Sequence, residues 1–248
     1  MHSGADTVSM IMPRPRDDGG SRALGIESLK NVPLFRDFDE TELSEVVQLV
    51  ATRRYGKHQT IFREGDPGQT FYIILTGSVA IVRVAADGRE TILSILKERD
   101  FFGEMSIFDT AVRAATVRTL TEVEVGAIER EDFLALIDRS PRIGRLLVIA
   151  LSERLRAANK LISASTSQDI RSRLASLLLN LSTNFGEQVP AGTRITLRLT
   201  NQEMANMIGT TRETVNRTLN RFWDERLIDM RTAHVVIVEA EKLRAMVP

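Results

Sequence analysis

The chain has 248 residues, of which 43% are hydrophobic and 27% are charged, and its 33 basic side chains balance 33 acidic ones. A chain of this length forms one or two domains, each large enough to bury a core. No apolar run approaches the roughly 20 residues of a membrane span, and the start lacks the charged-then-apolar order of a secretory signal. We therefore expect a cytoplasmic protein with no membrane partner.

Cysteine is absent from the sequence. Its absence excludes disulfides and every iron–sulfur or zinc site that uses cysteine ligands. The carboxylates, histidines and serines form no nucleophile–base set, so we do not expect an enzyme. Because the net charge is zero, composition alone does not indicate a nucleic-acid partner, and the sign of individual elements has to be considered instead.

The N-terminal part divides into a tail and two helices. Residues 1–22 mix Gly, Pro, Asp, Arg and Ser without periodicity, which predicts a disordered, solvated tail. Two short helices are expected within residues 26–50. Asp39 is the predicted N-cap of the second, because Glu42 follows three residues later at the spacing of a capping box.

Residues 55–128 alternate short runs of Ile, Val, Phe and Tyr with turn residues such as Gly, Asp and Pro. This alternation predicts several short strands joined by tight turns. Many strands at this spacing indicate an antiparallel barrel or sandwich. The predicted strands are 60–62, 71–75, 78–84, 91–96 and 124–128.

Residues 101–117, FFGEMSIFDTAVRAATV, lie between two of these strands, and we call this segment the cradle. Gly103 lets the backbone turn tightly and approach a ligand. Arg113 offers a planar fork that matches a pair of phosphate oxygens, with the N–H groups of Ala114 and Ala115 beside it. These groups predict a phosphate site on a loop that a rigid β scaffold holds.

Two further features of the cradle concern the rest of the ligand. Residues 106–110 are expected to form one helical turn whose free N–H groups can face an anion. Glu104 repels a phosphate and suits a ribose hydroxyl instead. The segment is therefore interpreted as a phosphate cradle with its own sugar acceptor.

A long helix follows the β region. A short helix is predicted over 131–138, and Ser140 and Pro141 are an N-cap and a first helical residue, after which nothing breaks the helix until about residue 167. Its apolar positions recur at spacings of three and four, which predicts a dimeric coiled coil. The alternative is an amphipathic helix that lies on the β domain. The seam consists of Val148, Leu151, Leu155, Ala158, Ile162 and Ser165.

A second domain is expected to begin near Asp169, which is the predicted N-cap of a helix over 171–181. Residues 163–168 are the expected hinge. Residues 184–193, with two glycines and a proline, are predicted to form a loop. The alternation of Ile195, Leu197 and Leu199 predicts a strand after it.

Residues 200–222 have the pattern of a helix-turn-helix. Thr200 is the predicted cap of the first helix, Gly209 marks the turn, and Thr210 or Thr211 caps the second helix. The outward positions of the second helix suit the major groove, since Arg matches guanine and Glu accepts from cytosine. The alternative is a solvated charged face. These positions are Arg212, Glu213, Asn216, Arg217 and Arg221.

The remaining residues complete this domain. Residues 227–228 and 234–238 are expected to form a two-stranded wing, and 240–246 a closing helix. Trp223 is predicted to be a core residue and His234 a structural one, because nothing near it resembles a triad or a metal set.

From about residue 27 to 246 the chain resembles the cAMP receptor protein and FNR superfamily of transcription regulators. The resemblance rests on the β-roll pattern from Ile61–Gly65 to Gly77–Val79, on the cradle, and on the run Arg212–Arg217. It implies an α+β fold with a jelly-roll-like antiparallel β-roll, a long dimerisation helix and a winged helix-turn-helix. The implied division is 1–22 tail, 23–139 cyclic-nucleotide-binding domain, 140–167 dimerisation helix and hinge, and 168–248 DNA-binding domain.

The resemblance also assigns roles to residues. It implies that Glu104 binds the ribose and Arg113 the cyclic phosphate, and that Arg212, Glu213 and Arg217 read a TGTGA-type half-site of double-stranded DNA. The remaining ligand-site residues on this assignment are Gly103, Met105, Ala114, Ala115, Ala158 and Asn159. The remaining DNA-site residues are Thr200, Asn201, Thr211 and Asn216.

The sequence departs from the superfamily pattern at two places. Bacterial cAMP receptor proteins commonly have Ser where this chain has Ala114. Ala158 and Asn159 replace the Thr-Ser pair that meets adenine, so the preference for adenine rests on Asn159. The iron–sulfur branch is disfavoured because it needs cysteines, and a haem-sensing branch because the three histidines, His2, His58 and His234, lie outside the cradle.

The leading hypothesis is a homodimer through the helix at 141–166 that responds to cAMP as an allosteric effector and works with RNA polymerase. No metal, haem or iron–sulfur cluster is expected. One alternative keeps DNA binding but replaces cAMP by cyclic di-GMP or by no ligand. A second alternative is a cyclic-nucleotide-binding module that regulates a protein partner.

Overall fold

The computed structural model describes residues 25–109, 112–167 and 169–247, except for the side chains of residues 157 and 160–167. The tail expected at residues 1–22 lies outside this range. The described chain begins with helix α1, Ile26–Lys30, a 3-10 turn at Pro33–Phe35, and helix α2, Glu40–Leu49. Asp39 caps α2 as predicted: its Oδ1 accepts from the Glu42 amide at 2.8 Å, and Glu42 Oε2 accepts from the Asp39 amide at 2.9 Å.

Eight strands form two antiparallel four-stranded sheets, in the orders β1-β8-β3-β6 and β2-β7-β4-β5. Their facing sides enclose a core that includes Ile74, Val79 and Val125. This is the antiparallel β-roll that the sequence predicted. The strands are β1 Ala51–Tyr55, β2 Thr60–Phe62, β3 Thr70–Thr76, β4 Ser78–Val84, β5 Glu90–Lys97, β6 Phe101–Phe102, β7 Thr116–Thr119 and β8 Val123–Glu129.

All five predicted strands are present, and three further strands were not predicted. Strand β1 contains two arginines and no fully buried residue, β6 has two residues, and β7 has a single apolar residue, Val117, between threonine and arginine. Such strands carry little apolar periodicity because their pairing partners, rather than their own side chains, hold them in the sheet.

One short helix lies between strands β6 and β7, and two helices follow β8. Helix α3 covers Met105–Phe108, α4 covers Arg130–Arg139, and α5 covers the 27 residues Pro141–Ser167. The first turns of α5 bury Ile143 and Leu147 against the N-terminal helices. Farther along, Val148 and Leu155 are 64% and 63% exposed. The predicted seam is therefore an apolar stripe with no cover in the single chain, over the residues whose side chains are described.

The C-terminal part is a winged helix-turn-helix. Asp169 caps α6 by accepting from the Ser172 amide at 2.7 Å. The sheet order is β11-β12-β10-β9, so the two strands of the wing pair with a hairpin that precedes the helix-turn-helix. The elements are α6 Ile170–Phe185, β9 Gly186–Val189, β10 Gly192–Ile195, α7 Asn201–Ile208, α8 Arg212–Asp224, β11 Ile228–Asp229, β12 Val236–Ile237 and α9 Ala240–Arg244.

Two predictions in this region were wrong. Residues 184–193 form most of the hairpin of β9 and β10 instead of a loop, and the strand predicted over 195–199 ends at Ile195. Strand β9 is largely exposed and β10 has one apolar residue, Ile195, so the hairpin lacks the apolar alternation by which strands are found.

Trp223 was predicted to be a core residue, but its side chain is 44% exposed. Helix α8 buries Val215, Leu219 and Phe222, which lie three and four residues apart on one face. Trp223 follows Phe222 by one residue, which turns it about 100° away from that face. Its size suggested burial, whereas its helical position determined exposure.

The outer face of the second sheet is covered by the C-terminal part of the chain. Ala80, Val82 and Ile92 belong to one hydrophobic cluster with α6, α7 and α8. Lys97 Nζ, at the end of β5, donates to the Asn184 carbonyl at 2.8 Å. Strand β4 is apolar on both faces because one face fills the roll and the other meets this domain. In the described part of the chain, the helices are too short or too polar to cross a membrane.

Candidate functional site: the cradle and the recognition helix

Arg113 is the centre of the cradle and is only 4% exposed. Its Nη1 donates to the Gly103 carbonyl at 2.9 Å and to Ser106 Oγ at 2.8 Å, and its Nη2 donates to the Thr70 carbonyl at 2.7 Å. Its Nε is buried and has no hydrogen-bond partner. A buried guanidinium with an unused N–H is a costly arrangement that a bound acceptor would relieve.

No carboxylate of the described residues lies within ion-pair distance of Arg113. Burial lowers the pKa of its guanidinium, and the more distant charges of Glu104, Asp66 and Glu129 act in the opposite direction. The cradle therefore holds a buried positive charge that local negative charge does not cancel. Such a group has the chemistry of an anion site.

Two glycines make room for this side chain. A Cβ on Gly68 would lie 2.8 Å from Arg113 Nε and 2.3 Å from Ser106 Oγ, and a Cβ on Gly103 would lie 2.6 Å from Arg113 Nη1. Gly103 also has a φ of 83°, which L side chains rarely adopt. The backbone has to come close to the guanidinium from two sides, which only glycine permits.

Glu104 is 5% exposed and carries the second charge of the cradle. Its Oε1 lies 3.1 Å from Nη1 of Arg154 on α5, and the same guanidinium donates to the Phe101 carbonyl and lies over the Phe101 ring, 4.5 Å from its centroid. The carboxylate proposed for a ribose is thus tied to the long helix. Sequence reasoning missed Arg154, although it lies one turn before Ala158 on that helix.

The other predicted ligand residues lie at the rim of the cradle. Met105 is 55% exposed at the start of α3. Ala114 is exposed and Ala115 half-buried in the bend between the bridge of Pro67 with Val112 and strand β7. The helical turn expected at 106–110 is found at Met105–Phe108, with Ser106 Oγ turned towards Arg113.

Ala158 and Asn159 are exposed on α5. The fold brings Glu104 together with Arg154 and places its charge near Arg113. Sequence reasoning also gave no ligand-site role to Thr70, Phe62 and Tyr72, which surround Arg113.

The recognition helix α8 begins as the sequence predicted. Thr200 and Glu203 form a capping box at α7, Gly209 ends α7 in the left-handed conformation at φ 64°, and Thr211 caps α8 by accepting from the Thr214 amide. These caps determine where each helix starts and how the two helices meet.

The outward face of α8 is exposed at every position proposed for DNA: Arg212, Glu213, Asn216 and Arg217. Asn201, at the start of α7, donates from Nδ2 to Asn216 Oδ1 at 3.2 Å. The face carries more positive than negative charge, which suits a groove lined by phosphates. His234 lies away from this face, with Nδ1 3.1 Å from the Ile195 carbonyl oxygen in the wing. Among the described residues, no group of three His, Asp or Glu side chains can hold a metal ion.

Comparison with known proteins gives two family matches. Residues 52–140 match the cyclic nucleotide-binding domain, and residues 172–246 match the Crp-like helix-turn-helix domain. The chain is 34% identical over 217 residues to the CRP-like cAMP-activated global transcriptional regulator of Mycobacterium tuberculosis, a match that covers 88% of this chain and 97% of that protein.

Two further relatives agree with these matches. The Cyclic AMP receptor protein of Thermus thermophilus is 32% identical, over 87% of this chain and 96% of its own length. The structure of the c-di-GMP responsive global regulator CLP of Xanthomonas campestris superposes with a TM-score of 0.71 at 30% identity, and the match covers 80% of this chain and 99% of that chain.

Together, the cyclic-nucleotide-binding β-roll and the helix-turn-helix define a DNA-binding transcription regulator, which is not an enzyme. The chain belongs to the CRP/FNR family of transcription regulators.

Proposed function

We propose that this regulator is a homodimer whose affinity for DNA is controlled by cAMP in the cradle. The observation that carries the proposal is Arg113, a buried cation without an ion-pair partner among the described residues and with an unused N–H at Nε. In this proposal Arg113 binds the cyclic phosphate, Glu104 the ribose, and the backbone at Gly103, Ala114 and Ala115 assists.

The choice of cAMP is supported by the relatives from M. tuberculosis and T. thermophilus, whose names refer to cAMP. The neighbour from X. campestris responds to c-di-GMP, which keeps that ligand as a second candidate. Both ligands carry a phosphodiester that Arg113 suits. The base is assigned to Ala158 and Asn159 on α5, with Met105 at the rim.

The proposed dimer forms through the helix at 141–166. Its support is the uncovered apolar stripe with Val148 and Leu155, since a long isolated helix is marginal in water without a partner. We assign residues 23–139 to ligand binding, 140–167 to dimerisation and the hinge, and 168–248 to DNA. A ligand that binds one arrangement of α5 better than another shifts the population towards that arrangement.

For DNA, we propose that Arg212, Glu213 and Arg217 read a TGTGA-type half-site, with Thr200, Asn201, Thr211 and Asn216 at the same surface. Two-fold symmetry of the dimer places two half-sites about one helical turn apart. A regulator of this class is expected to work with RNA polymerase on the chromosome, which places it in the cytoplasm.

Titration calorimetry with cAMP, cGMP and cyclic di-GMP tests the ligand assignment on the wild type and on Arg113→Ala. We expect cAMP to bind the wild type most tightly and to lose most of its affinity in the variant. Arg139→Ala, at an exposed arginine on α4 that pairs with Glu45 of α2, is the matched control. Equal cAMP binding by the wild type and Arg113→Ala would refute the cradle assignment.

Gel shifts on a TGTGA-type palindrome, at several salt concentrations, test the DNA assignment. We expect Arg212→Ala to weaken specific binding by about 1–3 kcal/mol. Unchanged affinity in this variant would exclude base recognition by Arg212. If the wild type itself shows no preference for any DNA sequence, a regulatory module for a protein partner becomes the better explanation.

A further inference from the structure

Arg113 lies on an aromatic surface inside the β-roll. Its guanidinium carbon is 4.2 Å from the centroid of the Phe62 ring and 5.6 Å from that of Tyr72. Phe102 completes the set: the ring centroids of Tyr72 and Phe102 are 5.0 Å apart with an interplanar angle of 10°, and Phe62 is 5.8 Å from both. We call Phe62, Tyr72 and Phe102 the aromatic shelf.

The shelf has an energetic role because a buried cation needs compensation for the water it has lost. The usual compensation is a carboxylate, and none of the described residues supplies one within ion-pair distance of Arg113. The partners that it has are neutral: two carbonyls, one hydroxyl and the faces of two aromatic rings. A ring face attracts a cation through its quadrupole without neutralising its charge.

It matters for an anionic ligand that the buried guanidinium is stabilised by neutral groups and not by a carboxylate. A carboxylate in contact with Arg113 would occupy its N–H groups and repel a phosphate. The rings do not neutralise the positive charge, so it stays available to an anion, and Nε has no hydrogen-bond partner among the described residues. We infer that Phe62 and Tyr72 are positioning residues for phosphate binding, which hold Arg113 charged and in place by cation–π contact. The inference rests on the proposed function of Arg113.

Tyr72 is itself held by Arg53 of strand β1. Arg53 Nη1, on β1, donates to the Tyr72 hydroxyl at 3.3 Å, and the Arg53 side chain also reaches Glu129 at 3.5 Å. The Arg53 guanidinium carbon also lies 5.9 Å from the centroid of the Tyr72 ring. Removing the hydroxyl therefore removes the hydrogen bond and leaves the contacts of the ring in place. Removing the hydroxyl and removing the ring are distinguishable changes.

The test replaces Phe62 by phenylalanines with one, two and three ring fluorines, which withdraw electron density from the ring face while nearly preserving its size. With a weaker cation–π contact, Arg113 occupies its place for a smaller fraction of the time, and the apparent dissociation constant rises accordingly. We expect affinity for cAMP, measured by calorimetry, to fall stepwise to about three- to tenfold below the wild type. The affinity of Tyr72→Phe for cAMP should stay within about twofold of the wild type, because this variant keeps the ring.

Phe133 provides the matched control. It is fully buried and stacks on Phe71 with the centroids 3.8 Å apart, and no described cation lies over its ring. The same fluorine series at Phe133 should leave cAMP affinity unchanged. Loss of affinity at both positions, or at neither, would overturn the inference.

A second measurement follows the free energy of unfolding in urea. The Phe62 series should lower it in the wild type and leave it unchanged in an Arg113→Met background; equal effects in both backgrounds would contradict the inference. Arg113→Ala separates the two proposals. If cAMP binds Arg113→Ala normally, the proposed function fails. If that variant loses binding while the Phe62 series has no effect, the aromatic shelf alone is refuted.

Discussion

The carboxylate of Glu104 lies 3.1 Å from the guanidinium of Arg154, a residue fifty positions later in the chain. This ion pair joins the cradle to the middle of α5, the helix whose apolar stripe is exposed. The Arg154 side chain is about one-third exposed, whereas the carboxylate is almost fully buried. Under the proposed function, a ligand that uses Glu104 has to share it with Arg154 or displace it, which would connect ligand occupancy to the position of the helix.

Replacing Arg154 by alanine should destabilise the protein, because it leaves the buried Glu104 carboxylate without its partner. We expect a loss of about 1–3 kcal/mol in the free energy of unfolding, measured by urea denaturation. Arg156→Ala, at an exposed position two residues later, should change it by less than about 0.5 kcal/mol. Equal effects of the two variants would show that the ion pair contributes nothing.

The substitution Gly103→Ala should reduce both stability and cAMP affinity. The added methyl group meets Arg113 Nη1 and the Thr70 carbonyl, and the backbone is held at a φ of 83°. Gly88 has a similar φ of 82° but open space around it, so Gly88→Ala measures the cost of the backbone conformation alone. We expect Gly88→Ala to lower the free energy of unfolding in urea by about 1–2 kcal/mol, because its backbone is left-handed. Gly103→Ala should lower it by at least about 1 kcal/mol more, because of crowding.

Calorimetry on the same two variants completes this experiment. Gly88→Ala should bind cAMP as the wild type does, because it is remote from Arg113. Normal binding by Gly103→Ala would mean that the close approach of the backbone to Arg113 is not needed for the ligand.

Thr200→Ala should weaken the helix-turn-helix by removing the cap of α7. Thr200 Oγ1 accepts from the Glu203 amide at 3.1 Å, and Glu203 Oε2 accepts from the Thr200 amide at 2.7 Å. The expected loss is about 1 kcal/mol in urea denaturation, with weaker DNA binding in gel shifts. Thr210→Ala, in the turn after α7, leaves the capping box intact and is the control. The prediction fails if the two variants lose the same stability.

Asp100 should make stability depend on pH. Burial raises the pKa of its carboxyl above the ordinary value of 3.8, while the Lys97 amide and the charges of Arg154 and Lys97 act in the opposite direction. Because the folded protein holds this proton more tightly than the unfolded chain, the stabilisation is complete below pH 3.8 and is lost as pH rises through the raised pKa.

In the wild type, Asp100 Oδ2 accepts from the Lys97 amide at 2.9 Å. Asp100→Asn keeps a side-chain oxygen that can accept this hydrogen bond and removes the charge. We therefore expect the variant to gain stability relative to the wild type at neutral pH, and the gain to shrink towards pH 4. Urea denaturation from pH 4 to 8 measures this difference. A constant difference across that range would contradict the assignment.

The local parts of the structure were predictable because their causes are local. Asp39, Asp169, Thr200 and Thr211 cap helices through hydrogen bonds to residues three positions away, which a sequence displays directly. The strands with strong apolar runs were found for the same reason. The hairpin of β9 and β10 and the strand β7 were missed because each has few apolar side chains, so that their pairing rather than an apolar pattern makes them strands.

The sequence by itself determined the residue types of the cradle, the glycine at a left-handed turn, the caps of the helix-turn-helix and the apolar stripe of α5. Only the tertiary structure decided the contact partners and the exposure of Trp223. It pairs Arg154 with Glu104, and it surrounds Arg113 with Thr70, Ser106, Phe62 and Tyr72. The physical reason is the sequence distance over which each interaction acts. Capping and periodicity act within one or two helical turns, whereas a buried charge takes its partners from whichever strands and helices the fold brings around it.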